Sequence, residues 1–150
     1  MLIRETTNED NLSLLARIRL GRLACARDAQ PYVVPLHFAY QDNFLYSFST
    51  VGQKIDWMRA SPLVCVQMDE VVNDETWASL VIFGSYEELP DIPAFKIERE
   101  LTYELLQRQA NWWEPGYAKT IIRGAERPLE PVYFRIRIAR ITGHRSVAEV

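Results

Sequence analysis

The chain is short of the residues that build metal and nucleophilic sites. In 150 residues it has two cysteines, Cys25 and Cys65, and two histidines, His37 and His144. None of the four has a partner at zinc-ligand spacing. Neither histidine meets a serine or cysteine in a recognisable motif, so no triad is assigned. His37, in a strand-like run, reads as a packed or hydrogen-bonded side chain. Both cysteines lie inside apolar strand-like runs and read as buried, reduced thiols. An excess of positive charge is also missing: 17 Lys and Arg stand against 20 Asp and Glu, net −3. That argues against a nucleic-acid surface. No apolar run reaches the roughly 18 residues of a membrane helix. The polar, acidic start MLIRETTNED is unlike a signal peptide, so a cytoplasmic location is expected. Asp69, Glu70, Asp74 and Glu75 lack EF-hand spacing and read as a solvated loop.

What is present is an ordinary globular balance, 48% hydrophobic and 25% charged. With no repeat and no low-complexity stretch, residues 1–150 are expected to form one domain with its own core. Thr7 or Asn8 can cap a helix, with Glu9 and Asp10 in its first turn. Leu12, Leu15 and Ile18 then recur at helical spacing with Leu14 beside them, and Gly21 reads as the stop. GRLACAR, PYVVPLHFAY and FLYSFS, separated by DAQ and QDN, read as a meander of hairpins. GQKIDWMRAS reads as a short helix with Ile55 and Met58 on one side. PLVCVQM and TWASLVIFGSYEEL are strands joined by a polar loop, DEVVNDE. PAFKIERELTYELLQRQ is the clearest helix, with Phe95, Ile97, Leu101 and Leu105 in phase. The segment from Asn111 to Pro131 is irregular and too long for a plain connection. PVYFRIRIARITGHR alternates strictly, with Val132, Phe134, Ile136 and Ile138 on one face. The expectation is a mainly β fold of about six antiparallel strands and about three helices, closed or split as a barrel to remove exposed edges.

The stretch STVGQKIDWMR, Ser49 to Arg59, places two hydroxyls, a glycine and a lysine between a strand and a helix. A phosphate dianion needs backbone N–H groups, hydroxyl donors and a cation. A helix start supplies the first, and Ser49, Thr50, Gln53 and Lys54 the others, with Gly52 allowing close approach. The stretch lacks Walker spacing. The same residues also describe a capped turn with Lys54 in solvent, which is the commoner use of such a sequence. Pro35, inside YVVPLHF, marks an edge strand or a bulge because it cannot donate to a ladder. Trp77 and Ser79 share one face of a strand. They suit the wall of a ring-shaped ligand with polar edges, or equally a core Trp with a satisfied Ser. Trp112 and Trp113 read as cover for a ligand, as part of a subunit interface, or as a loop docked on its own domain.

In order and spacing, GRLACARDAQPYVVPLHFAY, FLYSFSTVGQKIDWMRASPLVCVQMDE and TWASLVIFGSYEEL resemble the pyridoxamine 5′-phosphate oxidase-like, FMN-binding split-barrel family. The short branch that includes the nitroimidazole-resistance proteins is the nearer likeness. The resemblance implies a split barrel that binds FMN at the interface of a homodimer. It implies that Val33, Val34, Pro35 and Leu36 run beside the isoalloxazine ring. Ser49, Thr50, Gln53 and Lys54 would hold the phosphate, and Ser79, with Trp77 nearby, would touch the ring or ribityl chain. Trp112 or Trp113 would come from the other subunit. True pyridoxamine 5′-phosphate oxidases are longer and carry a basic C-terminal segment. ITGHRSVAEV has no such motif, so pyridoxamine phosphate is not the expected substrate. A flavin-dependent oxidoreductase acting on an unidentified small molecule is expected. The alternative is a non-catalytic module binding or sensing flavin, F420 or haem. No catalytic acid, base or metal is named.

Overall fold

The structure is a computed structural model and describes residues 1–108, 120–122, 124–127 and 131–149. Ten strands and three helices follow in chain order among these residues. They are β1 (Leu2–Glu5), α1 (Asn8–Arg17), β2 (Leu20–Arg27), β3 (Gln30–His37), β4 (Ala39–Gln41), β5 (Phe44–Thr50), α2 (Gln53–Ala60), β6 (Leu63–Asn73), β7 (Thr76–Glu88), α3 (Lys96–Gln107), β8 (Thr120–Ile122), β9 (Ala125–Arg127) and β10 (Pro131–Val147). A single 3₁₀ turn, Pro93–Phe95, leads into α3.

Eight strands, not six, form one antiparallel sheet in the order β3-β2-β6-β7-β10-β5-β4, with β1 added along β10; β8 and β9 pair separately. Two strands account for the difference. β1 is exposed along its whole length and looks polar in sequence, but the 17-residue β10 outruns β5 and gives it an edge to pair with. β4 arises because PYVVPLHFAY is two strands. The chain breaks at Phe38, whose ring is 1% exposed and whose N–H bonds the Arg19 carbonyl at 2.7 Å.

That break also overturns the expected meander. β3 pairs with β2, whereas β4 pairs with β5 at the opposite end of the sheet. Burial of Phe38 carries the chain from one edge to the other. There the Ser47 hydroxyl donates to the His37 carbonyl at 2.8 Å and ties the two edges together. The sheet thus curls on itself, as the split barrel requires.

Alternation fills the barrel. Leu23, Leu45, Val66, Leu80, Ile82, Phe134 and Ile136 point inward and are fully buried. Ile55 and Met58 of α2 plug the barrel with no exposed surface, and Leu14 and Leu15 of α1 join the same core. Thr7 caps α1 with a reciprocal box: the Asp10 N–H donates to Thr7 Oγ1 at 3.1 Å, and the Thr7 N–H donates to Asp10 Oδ2 at 2.9 Å. α1 stops at Arg17, before the expected Gly21, because Ile18 is already extended. Gly21 lies within β2, where a Cβ would meet Val66 at 2.8 Å. Leu12 is half-exposed, outside the core. The expected DEVVNDE loop is mostly strand, and β6 runs to Asn73 before a turn at Asp74-Glu75. A second apolar cluster, Tyr46, Leu89 and Leu105, seats α3 on the outer side of β5 and β10. No helix of the described residues is long and apolar enough to cross a membrane.

Candidate functional site

β3 is a sheet edge, as Pro35 requires, and its open groups follow from its turn. Asp28 and Ala29 both have positive φ, 50° and 63°, which makes a two-residue type I′ hairpin between Arg27 and Gln30. The pair closing such a turn is hydrogen-bonded, and pairs alternate from there. Cys25–Tyr32, Leu23–Val34 and Gly21–Leu36 are therefore bonded pairs. Pro31, Val33, Pro35 and His37 turn their backbone groups away from β2. Both prolines thus sit where the ladder needs no N–H. The His37 carbonyl pointing at Ser47 agrees with this parity. The Val33 N–H and the carbonyls of Val33 and Pro35 face outward from the edge. The side chains divide the other way. Val34 and Leu36 pack on the core, while Val33, 59% exposed, and Pro35 face the outside of the sheet.

α2 begins next to this edge. Tyr32 of β3 and Trp57 of α2 meet with ring centroids 5.5 Å apart. The helix has no side-chain cap at Gly52, which leaves its first-turn N–H groups without a capping side chain among the described residues. Gly52 is extended, at φ 175°, so its backbone does not demand glycine. A Cβ there would find only the Thr50 carbonyl, 4.0 Å away, so the space over the helix start is open. Lys54 is half-buried and has no carboxylate within ion-pair reach among the described residues. Burial pushes its pKa down, opposed in part by Cys25 nearby, whose own thiol burial pushes up. A desolvated cation with no anion among the described residues, at an uncapped helix start, has the chemistry of an anion seat.

The other expected residues divide. Ser49 is buried in the barrel, its hydroxyl 3.5 Å from the Thr50 carbonyl. Thr50 turns to the opposite face of β5 and is half-buried, and Gln53 is exposed. Trp77 and Ser79 do share the outer face of β7, as alternation implied. The Trp77 N–H donates to Ser146 Oγ at 3.0 Å, and Ser79 Oγ accepts from Gln67 Nε2 at 3.2 Å. Three strand spacings separate β3 from β7 along the sheet, about 14 Å at 4.8 Å each, so one chain does not bring this pair to the β3 edge. Trp112 and Trp113 lie outside the described residues. Sequence reasoning missed Cys25, Tyr32 and Trp57 as walls of the seat. It also missed Pro31, whose four-residue spacing from Pro35 already signalled one open edge.

With this geometry the sequence profile of the pyridoxamine 5′-phosphate oxidase family matches residues 7–145. The chain belongs to that family. An uncharacterised protein of Rhizobium meliloti (strain 1021) is 38% identical over 148 residues, covering 99% of this chain and 98% of the relative. An FAD-binding protein of Mesorhizobium loti, known as a crystal structure, is 41% identical. It superposes with a TM-score of 0.80 over 99% of each chain. A proposed 5-nitroimidazole antibiotic resistance protein of Bacteroides thetaiotaomicron shares the fold at 16% identity. Its TM-score is 0.67 over 97% of this chain and 89% of the other. The family's split barrel is the fold found here, with eight strands in its sheet.

Proposed function

We propose that this family member binds a flavin through its 5′-phosphate, the part common to FMN and FAD, and acts as a flavin-dependent oxidoreductase. The observation that carries the reading is the uncapped start of α2, with Lys54 half-buried near Cys25 and without a carboxylate partner among the described residues, on a helix that packs through Trp57 on the open edge strand β3. The phosphate would meet the first-turn N–H groups, Thr50 and Lys54. The ring would lie along Val33–Leu36, with its polar edge on the outward backbone groups of Val33 and Pro35. The flavin-binding description of the 41%-identical Mesorhizobium protein supports this. A bound flavin would supply hydride or electron-pair transfer at N5, while the chain supplies binding, orientation and exclusion of water.

We further propose that the working unit is a homodimer. Trp77 and Ser79 lie three strands from the β3 edge within one chain. They lie on an outer face where Leu20, Val33 and Leu63 are 42%, 59% and 78% exposed. A second copy on this face would cover the apolar side chains and bring its own Trp77 and Ser79 toward the ring. Trp112 and Trp113 are proposed to approach the ring in the same way.

The purified protein, incubated with FMN and desalted, is expected to keep a flavin absorption band. That band should bleach with NADH or NADPH under anaerobic conditions. Retained flavin that neither nucleotide reduces would favour a binding or sensing module. A colourless protein would remove the flavin reading. Sedimentation velocity should give a dimer, and a monomer that holds flavin tightly would contradict the shared site.

A further inference from the structure

Beside the loop that leads into α2 lies a cleft of about 350 Å³. It is lined by Val51, which follows Thr50 on the way into α2, and by Pro131, the register partner of Thr50. FMN ends at its phosphate and would leave this cleft unfilled. The volume lies at the lower end of ligand-sized clefts.

The walls combine three chemistries. Arg99, on α3, donates from Nη1 to the Leu89 carbonyl at 2.7 Å, and its guanidinium lies over the Tyr133 ring at 4.8 Å. Its nearest carboxylate, Asp91, stands 3.8 Å away and is 92% exposed, so the pairing is loose. Arg59 is committed to Glu88 by bonds of 2.7 and 3.2 Å. Pro90, Pro131 and Tyr133 supply flat apolar surface. Two cations and two carboxylates leave the cleft near neutral. That suits neither a bare phosphate nor an acidic peptide. It suits a group with one phosphate, a diol and a flat ring: the arginine takes the phosphate, a carboxylate accepts from the diol, and the apolar walls take the ring.

We propose that this cleft receives the adenylate half of FAD, with the flavin-side phosphate on the α2 start and the adenylate phosphate toward Arg99. Asp91, since Glu88 is taken up by Arg59 and Tyr86, accepts from the ribose hydroxyls. This inference rests on the flavin reading above and adds a preference for the dinucleotide over FMN.

Titration calorimetry with FMN and FAD tests it on the wild type, Arg99→Ala and Asp91→Ala. The wild type is expected to bind FAD about tenfold more tightly than FMN, the scale of one charge-assisted bond. Arg99→Ala should remove that preference and leave FMN affinity unchanged. Asp91→Ala, at an exposed side chain whose loss leaves the fold intact, should weaken FAD a few-fold and FMN not at all. If Arg99→Ala fails to fold, Asp91→Ala decides alone. Equal wild-type affinities, or equal losses for both flavins, would overturn the adenylate cleft while leaving the phosphate seat in place. Failure of the wild type to bind either flavin would remove both.

Discussion

Tyr32 and Trp57 meet at 56° with their ring centroids 5.5 Å apart, and this contact fixes α2 against the edge strand β3. It joins the two halves of the proposed site, the helix start that carries Lys54 and the strand that carries the open backbone groups. Trp57→Ala should therefore do two things. It should lower stability by about 2 kcal/mol, less than for a fully buried Trp because this one is only partly buried. It should also weaken riboflavin and FMN alike, since ring and phosphate contacts depend on the same spacing. Urea unfolding and flavin titration measure both. Trp57→Phe should recover most of each.

Ala29 is held at φ 63°, a left-handed conformation that favours glycine or asparagine. Ala29→Gly is expected to stabilise the β2–β3 hairpin by about 0.5–1 kcal/mol, or roughly 1–4 °C in Tm for a chain of this size. Differential scanning calorimetry of the pair is sufficient. An unchanged or lower Tm would show that the turn is not the type I′ on which the edge parity rests.

Asp10 gathers Arg4 at 2.7 Å, Arg145 at 2.9 Å and the Thr7 N–H at 2.9 Å. Arg4 foremost, then the Thr7 N–H, hold its carboxyl well below the usual carboxylate range, against a smaller opposing effect of burial. A folded pKa below the unfolded one stabilises the fold fully above the ordinary value of 3.8, and this is lost as pH falls further toward the folded pKa. Asp10→Asn keeps an acceptor for Thr7 but removes the charge. Its urea midpoint should lie below wild type at pH 7, and the gap should close below about pH 4. High salt should narrow the gap, because its partners Arg4 and Arg145 are open to solvent. A gap that persists unchanged at pH 3 would assign the loss to the cap geometry.

Gly84 faces Ile138 at the register shift in β10, and a Cβ there would stand 2.4 Å from the Arg137 carbonyl and 2.7 Å from Ile136. Backbone cannot yield as a flexible side chain can. Gly84→Ala should cost about 2–3 kcal/mol, measured by chemical denaturation, whereas Gly52→Ala should leave stability within about 0.5 kcal/mol. If the seat over α2 is used as proposed, Gly52→Ala should still weaken flavin binding.

Local patterns in the chain carried a good part of this. Alternation in β10 placed Val132, Phe134 and Ile136 inside, and Ile55 and Met58 named the face of α2 that plugs the barrel. Thr7 and Asp10 announced their helix start. Pro35 announced the edge. What period and propensity do not encode is which strands meet. Nothing local to PYVVPLHFAY says that Phe38 will be buried and the strand cut there, because that is decided by the Arg19 carbonyl and by Ser47 on the far edge. β1 was invisible for a related reason: its exposed residues gain order only from the overhang of β10. At the site, Lys54 and the α2 start were legible from STVGQKIDWMR. Tyr32, Trp57 and Cys25 were not, since they reach Lys54 only through packing. Ser49 and Thr50 look equivalent in sequence, yet pleating sends them to opposite faces of β5.

The central claim is that the start of α2 seats a flavin phosphate, and removal of the Lys54 charge tests it most directly. Riboflavin and FMN differ only by that phosphate, so each serves as the control for the other. Lys54→Ala should weaken FMN binding about tenfold or more, the scale of one charge-assisted bond, and leave riboflavin within about twofold, since no bond to it is lost. Equal losses for the two ligands, or no loss for FMN, would contradict the account and return STVGQKIDWMR to an ordinary turn.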